Sequence, residues 1–281
     1  MRNYYGVLSV AGSDPSGGAG IQADIKTISS IGCYAMTAIT AVTVQNTTGV
    51  TAVQPIDPAI VEGQINMVTS DIPPLAIKTG MLYDAACIRA VARALRRYLA
   101  VRPCTPVVVD PVMVSTSGSM LLDGDAMTAL KDEIFPLATL ITPNIHEARV
   151  ITGVSDPSSQ WNTLREAGCR NVLLKGGDSG RDDVKTDYLC LEGNADLIPL
   201  TADAVTTPNT HGTGCTLSAA IASYLALGYD LRHAVEMGKL YITRALRAGA
   251  FVTTGQGHGP VNHFFSPRRL KNFNPCHEDK N

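Results

Sequence analysis

Short apolar runs alternate with longer amphipathic segments along almost the whole chain. The apolar runs have strand length in YYGVLSVAG, AMTAITAVTVQ, LAIKTGM, TPVVVDPVM, ATLIT and NVLLK. The segments between them place apolar residues at helical spacing, as in GIQADIKTISSIG, PAIVEGQINMVTSD, DAACIRAVARALRRYLA and GDAMTALKDEIF. This alternation is typical of β-α-β units. It predicts a mostly parallel sheet with helices on both faces.

The C-terminal third departs from this alternation. TDYLCLEG and ADLIPLTA predict a hairpin at one sheet edge, and two helical patterns begin near Thr213 and Leu231. From Ser266 onward the chain is polar, and such ends tend to be poorly ordered. No linker or repeat separates a second domain. We therefore predict one domain over residues 1–265 and a polar tail over 266–281.

Composition narrows the class of protein. The 281 residues include 23 Lys and Arg and 25 Asp and Glu, with a formal net charge of −2, which disfavours a nucleic-acid partner. The longest apolar runs are shorter than a bilayer span, and the chain enters its first strand without a cleavable apolar leader. Seven scattered cysteines form no C-x-x-C pair, which argues against a disulfide framework or a zinc site. We expect a cytoplasmic protein without membrane contact.

Unusual residues cluster at the ends of the predicted strands. Gly12 to Gly20, Gln45, Met81, Asp110, Asn144 and Lys175 all occupy such positions. Open α/β sheets bind their ligands along the edge formed by the carboxyl ends of the strands. The pattern therefore predicts one site along this edge.

Two glycine-rich turns each open a predicted helix. GSDPSGGAG contains a nominal dinucleotide fingerprint, but no acid follows at the spacing that binds ribose, and no P-loop ending is present. This turn is either structural or lets the backbone lie against a substrate, and Asp24 beyond it either caps its helix or contacts that substrate. HGTGC places Gly212 and Gly214 at the start of a helix whose free amides attract an anion. A tight loop with an ordinary buried Cys215 is the other interpretation.

Charged and amide residues at three strand ends fit a polyphosphate. Asn144 and Glu147 share one face of a helix start, and with Asp110 they offer the oxygen ligands that Mg²⁺ prefers. Lys175 follows an apolar strand and precedes two glycines, which suits a phosphate-binding ammonium. A helix cap, a turn cap and a solvated lysine are the ordinary alternatives for these residues.

Taken together, these segments resemble the ribokinase-like small-molecule kinases, and among them the vitamin kinases of thiamine synthesis. The resemblance is carried in family order by LSVAGSDPSGGAGIQADIKT, TAVTVQNT, IKTGML, VVVDPVM, LITPNIHEA, LLKGGD, NTHGTGCTLSAAIA and GHGPVNHF. It implies a three-layer α/β/α sandwich, ATP with Mg²⁺, a homodimer, and phosphorylation of an aminopyrimidine hydroxymethyl group and then of its monophosphate. Many ribokinase relatives have an Asp as catalytic base where this chain has Cys215.

The resemblance and the residue chemistry together assign roles. The catalytic group is Gly212, Thr213, Gly214 and Cys215; the substrate group is Gly12, Asp24, Gln45, Met81 and Val112; the nucleotide group is Asn144, Lys175, Thr210 and His211; the metal group is Asp110 and Glu147. Cys215, with its pKa lowered by the helix terminus, is expected to accept the hydroxyl proton or to position that hydroxyl. Thr116 to Gly124 is a candidate lid because of its glycines and small polar residues.

Gln45 is the best sequence indicator of substrate. Its carboxamide can pair with a ring nitrogen and the adjacent amine of an aminopyrimidine, whereas a pyridine leaves one of its groups unpaired, at about 1–3 kcal/mol if buried. Met81 and Val112 can cover the ring faces or simply pack in the core. A pyridoxine or pyridoxal kinase is the alternative enzyme. A vitamin-phosphate binding module and a dinucleotide-dependent dehydrogenase are alternatives of other classes.

Overall fold

The computed structural model describes residues 2–113, 124–176, 183–194 and 196–274. Its strands are β1 Asn3–Tyr4, β2 Gly6–Ser13, β3 Tyr34–Asn46, β4 Gly49–Pro55, β5 Ala76–Thr79, β6 Val107–Val109, β7 Leu140–Ile141, β8 Val172–Leu174, β9 Val184–Cys190, β10 Ile198–Asp203 and β11 Asn272–Phe273. Within these ranges, nine strands form one sheet in the order β10-β9-β8-β7-β6-β5-β2-β3-β4. The six central strands from β8 to β3 are parallel, and antiparallel pairs close both edges.

Helices connect and cover these strands. They are α1 Gly20–Ile31, α2 Pro58–Asp71, α3 Ala85–Val101, α4 Gly124–Ala129, α5 Ile145–Thr152, α6 Pro157–Glu166, α7 Thr213–Ala226 and α8 Leu231–Gly249. Local sequence fixes several of their ends. Asp57 accepts the Ala59 N–H ahead of Pro58, and Gly32 ends α1 with φ of 94°, a conformation that glycine adopts without strain.

Two apolar cores lie on opposite faces of the sheet. One contains Ile65, Leu95 and Trp161 from α2, α3 and α6, and the other contains Ile28 and Ile221 from α1 and α7. The strands between them are buried on both sides, which explains their continuous apolar runs. The predicted three-layer α/β/α sandwich with an edge hairpin, formed by β9 and β10, is confirmed.

Three elements differ from the sequence prediction. β4 was not predicted, although it pairs antiparallel with β3 at the second sheet edge, and α6 was also missed. The helix predicted over residues 124–135 is α-helical only as far as Ala129 and continues as a π turn over Leu130–Ile134.

The first part of the predicted tail lies against the domain. The Arg268 N–H donates to the Ser30 carbonyl, the Lys271 N–H donates to the Gly32 carbonyl, and β11 pairs with β1. The candidate lid Thr116 to Gly124 lies outside the described residues except for its last position. Within the described ranges, none of the helices has the length and apolar content required to cross a bilayer.

Candidate active site

One cavity of about 750 Å³ opens along the carboxyl ends of the strands. Every predicted site residue except Asp24 lines it. These residues are Gly12, Gln45, Met81, Asp110, Val112, Asn144, Glu147, Lys175, Thr210, His211, Gly212, Thr213, Gly214 and Cys215. The two glycine turns therefore serve one site, and its volume lies in the range of small-molecule sites.

The two glycine turns touch each other. A Cβ built on Gly212 would lie 1.8 Å from the carbonyl oxygen of Gly18, and one built on Gly18 would lie 2.3 Å from the imidazole of His211. Gly212 also has φ of 76° and is the N-cap of α7. Because any side chain at these two glycines would push the turns apart, the sequence needs glycine at both.

His211 lies where the two turns meet. Its Nε2 is 2.7 Å from Asp14 Oδ2 and 3.5 Å from Gln45 Nε2. The prediction grouped it with the nucleotide residues, and the structure places its imidazole beside Asp14 and Gln45. The physical reason is Gly18, which leaves space for the imidazole beneath the first turn.

Gln45 faces the cavity at the end of β3. The Thr43 hydroxyl, two residues earlier on the same strand face, lies 3.0 Å from its carboxamide. Met81 covers Gly12, where an added Cβ would lie 2.4 Å from the methionine Cε. Met81 and Val112 add apolar surface to the cavity lining, and Gln45 adds a carboxamide.

The start of α7 presents free backbone donors. The Thr213 N–H bonds to the Thr210 carbonyl, but the N–H groups of Gly214 and Cys215 have no acceptor in the described ranges. Both residues line the cavity. This helix terminus can therefore hold an anion there.

The sequence predicted a lowered pKa for the Cys215 thiol, and this prediction is wrong in direction. Burial raises the pKa of its thiol to about 11, with Asp24 and Asp110 adding to the rise, while Lys78 and the Gly20 N–H act in the opposite direction. Loss of water outweighs the favourable charge of Lys78 and the hydrogen bond from Gly20. Cys215 is therefore a thiol, not a thiolate, near neutral pH.

Lys175 lies between two carboxylates that also line the cavity. Its Nζ is 3.0 Å from Asp110 Oδ1 and 3.9 Å from Glu147 Oε2. Asp110 also accepts hydrogen bonds from the hydroxyls of Thr142 and Ser218. Lys175 thus lies among acceptors that hold its ammonium near the start of α7, where an added Gly214 Cβ would be 3.3 Å from Nζ.

Asn144 and Glu147 form a capping box at the start of α5. The Asn144 side chain accepts the Glu147 N–H, and the Glu147 carboxylate accepts the Asn144 N–H. The helix-cap interpretation therefore holds for both, although they also line the cavity. Burial, with a smaller contribution from Asp110, raises the pKa of Glu147 to about 7, and Lys175 opposes this rise.

Asp24 is not in the cavity, which corrects its prediction as a substrate residue. Its side chain is fully buried and paired with Lys78 at 2.8 Å, and Ser9 donates to the same oxygen. The pair lies beneath Cys215, on whose pKa both residues act. The signal for Lys78 was a charged residue inside the apolar strand LAIKTGM, followed by Gly80, where an added Cβ would be 2.8 Å from Lys78 Nζ.

The residues at the opposite end of the cavity were not predicted from the sequence. Asp187 on β9 accepts the Gly176 N–H and pairs with Lys239 on α8 at 2.6 Å. The apolar lining there comes from Ile242 and Leu246, one helical turn apart on α8. This end is therefore formed by the edge hairpin and α8, next to Lys175.

Comparison with known proteins identifies the family. The profile of the phosphomethylpyrimidine kinase family matches residues 14–262. The chain belongs to this family. It is 46% identical over 263 residues to the hydroxymethylpyrimidine/phosphomethylpyrimidine kinase of Rhizobium meliloti, covering 92% of this chain and 96% of that protein. The predicted family and the predicted enzyme class, a kinase, are confirmed.

Two further relatives separate similarity in sequence from similarity in fold. This kinase is 46% identical over 270 residues to the thiamine biosynthesis bifunctional protein ThiED of Geobacter sulfurreducens, covering 94% of this chain but 53% of that protein. The structure of Staphylococcus aureus pyridoxal kinase in complex with AMP-PCP and pyridoxal superposes with a TM-score of 0.82 at 30% identity, covering 93% of this chain and 94% of that one. The fold is thus shared with pyridoxal kinases, while sequence identity favours the pyrimidine kinases.

Proposed function

We propose that this kinase uses ATP to phosphorylate 4-amino-5-hydroxymethyl-2-methylpyrimidine and then its monophosphate, a step of thiamine biosynthesis. The observation that carries the proposal is one cavity lined by Gln45, by Lys175 and by the α7 terminus at Cys215. An amide suited to an aminopyrimidine therefore shares a space with donors suited to a transferred phosphoryl group. Relatives named for this activity support it.

The substrate end is the part around Gln45. Its carboxamide can accept from the exocyclic amine and donate to the adjacent ring nitrogen. Met81 and Val112 line the cavity beside it and can contact the ring faces, and Gly12 leaves room for Met81. The hydroxymethyl group would then point toward Cys215.

The phosphate end runs from the α7 terminus to Lys175. Phosphoryl transfer needs aligned groups and neutralised charge more than covalent chemistry by the protein. The amides of Gly212, Gly214 and Cys215 would bind the transferring phosphoryl oxygens, and Lys175 would exchange its carboxylate partners for phosphate. Thr210 and Asn144 border this region, and the apolar surface of α8 beyond them can hold the nucleotide base.

Asp110 and Glu147, the carboxylates near Lys175, suit a Mg²⁺ ion that is also bound by phosphate. Among the described residues, no group of three or more His, Cys, Asp or Glu side chains is arranged to hold a metal ion. Asp110 and Glu147 both border the cavity, and Mg²⁺ is often bound by one or two carboxylates together with phosphates and water. Bound Mg²⁺ would neutralise phosphate charge beside these two residues.

Because Cys215 is a thiol near neutral pH, we assign it first to positioning the attacking hydroxyl. A neutral thiol cannot accept a second proton, so the proton of the attacking hydroxyl would pass to an oxygen of the transferred phosphoryl group. Cys215→Ala should lower turnover by about 10²-fold with substrate affinity nearly unchanged, because the hydroxyl loses its alignment with the phosphorus. Near-normal turnover in this variant would remove Cys215 from the reaction.

The deciding experiment is ATP-dependent product formation from the aminopyrimidine alcohol, its monophosphate and pyridoxine in parallel. We expect turnover of both pyrimidines at a higher kcat/KM than pyridoxine. Faster turnover of pyridoxine would establish the alternative, a pyridoxine or pyridoxal kinase. We also propose the homodimer, the single domain over residues 1–265 and a cytoplasmic location, which sedimentation, limited proteolysis and fractionation can test.

A further inference from the structure

Four side chains form a continuous polar chain at the substrate end of the cavity. Asp14 Oδ2 is 2.7 Å from His211 Nε2, which is 3.5 Å from the Gln45 carboxamide. That carboxamide is 3.0 Å from Thr43 Oγ1, which is 2.9 Å from the Ser13 carbonyl oxygen. Asp14, Thr43 and His211 are buried. These four side chains have few protons to donate, so the donor and acceptor roles at one contact determine the roles at the next.

The Asp14 end fixes the atom of Gln45 that faces His211. Burial alone would raise the pKa of Asp14, but hydrogen bonds from His211 and Ser16 lower it, so this carboxylate is ionised and only accepts. His211 Nε2 must then carry a proton and donate it to Asp14. A protonated ring nitrogen has no lone pair for an amide N–H. The Gln45 carbonyl oxygen, not its NH₂ group, therefore faces His211.

The Thr43 end gives the same answer independently. A hydroxyl has one proton, yet Thr43 Oγ1 lies within hydrogen-bond distance of both Ser13 and Gln45. The Ser13 carbonyl can only accept, so the proton points to Ser13. Thr43 then offers lone pairs to Gln45 and requires an N–H donor there. The structure places Gln45 Nε2 toward His211 and Oε1 toward Thr43, and rotation of the carboxamide by about 180° exchanges the two atoms at the same positions and satisfies both neighbours.

We propose that Thr43 and the His211–Asp14 pair lock the Gln45 carboxamide in this single orientation, and that the lock selects a 4-aminopyrimidine against its 4-oxo counterpart. A freely rotating carboxamide could pair with either ring by turning over. A locked one matches only a ring that donates through its exocyclic group and accepts through its ring nitrogen. This inference rests on the proposed function, because that proposal places the pyrimidine against Gln45.

The test compares two substrates that differ only at this position. We expect the wild-type kinase to favour 4-amino-5-hydroxymethyl-2-methylpyrimidine over the 4-oxo analogue by at least about tenfold in kcat/KM, because the analogue leaves buried polar groups mispaired. Thr43→Val should reduce this ratio by about tenfold, mainly through KM. Thr43→Ser, which restores the hydroxyl, should restore the ratio.

Thr51→Val is the matched control, because the Thr51 hydroxyl also donates to a backbone carbonyl, that of Val44, and the residue does not line the cavity. It should leave the ratio at the wild-type value. Equal use of the two substrates by the wild-type kinase, or an unchanged ratio in Thr43→Val, would overturn the lock. If Thr43→Val does not fold, the wild-type ratio still decides. Failure to phosphorylate either pyrimidine would overturn the proposed function instead.

Discussion

Two lysine–aspartate pairs with similar N–O distances lie near Cys215 and differ in burial. Lys78 and Asp24 are 2.8 Å apart, and both side chains are fully buried. Lys175 and Asp110 are 3.0 Å apart, and Lys175 is 14% exposed to the cavity. Both lysines interact electrostatically with Cys215. The chemistry is the same, but only one pair can meet a ligand.

The difference shows that access to the cavity, rather than residue type, separates a structural pair from a functional one. Lys78 is enclosed by its strand, by Gly80 and by Asp24, so that no phosphate can replace its partner. Lys175 is held by Asp110 and Glu147 at a site that a phosphate could share. The enclosed Lys78–Asp24 pair should therefore control stability, and the Lys175–Asp110 pair, which faces the cavity, should control turnover. The following variants test this division.

Lys78→Met should have the largest effect, on stability. It leaves Asp24 ionisable and buried without its partner, which typically costs about 3–5 kcal/mol in the free energy of unfolding. Chemical denaturation measures this loss. The double variant Lys78→Met/Asp24→Asn removes both charges and should recover most of it. If the single variant unfolded like the wild type, the pair would not be structural.

Lys175→Met should lower turnover by about 10²- to 10³-fold, as expected when a transition-state donor is removed. Its effect on unfolding should be smaller than that of Lys78→Met, because water in the cavity can reach Asp110 and Glu147. Steady-state kinetics with ATP and the aminopyrimidine measures the loss. Lys131→Met, away from the cavity, is the control. A stability loss equal to that of Lys78→Met would erase the distinction between the two pairs.

Glu147, which lies 3.9 Å from Lys175 Nζ, should give the smallest effect, a pH dependence of the free energy of unfolding. Its folded-state pKa of about 7 lies above the ordinary value of 4.5, so the folded protein binds more protons between these values. Its contribution to the free energy of unfolding is therefore fully present below pH 4.5 and is lost as pH rises through about 7, at no more than about 1.4 kcal/mol per pH unit.

Denaturation of wild type and Glu147→Gln at pH 5 and pH 8 measures this contribution. The wild type should lose more stability than the variant between the two pH values. Glu166→Gln, an exposed carboxylate on α6, should behave as the wild type. Parallel pH profiles of wild type and Glu147→Gln would show that Glu147 does not titrate in this range.

Long helices were predicted well from the sequence, whereas the edge strand β4 and single buried polar residues were missed. The patterns PAIVEGQINMVTSD and LRHAVEMGKLYITRALRAG coincide with α2 and α8, because each begins at an aspartate N-cap. β4 was missed because none of its residues is buried and it pairs with only one neighbour among the described strands, β3. Lys78 and Thr43 were missed because a single polar residue in a strand shows neither its depth nor its partner.

The amino-acid sequence was sufficient to predict the family, the layered fold and the set of residues around the site, because glycine turns and strand-end residues keep their order and spacing in the chain. The folded structure sets the environment and the protonation of these residues. It buried Asp24 beneath the cavity, turned His211 toward Gln45 and raised the pKa of Cys215 to about 11. Burial and proton pairing depend on what surrounds a group in three dimensions, and neighbours distant in sequence supply that environment.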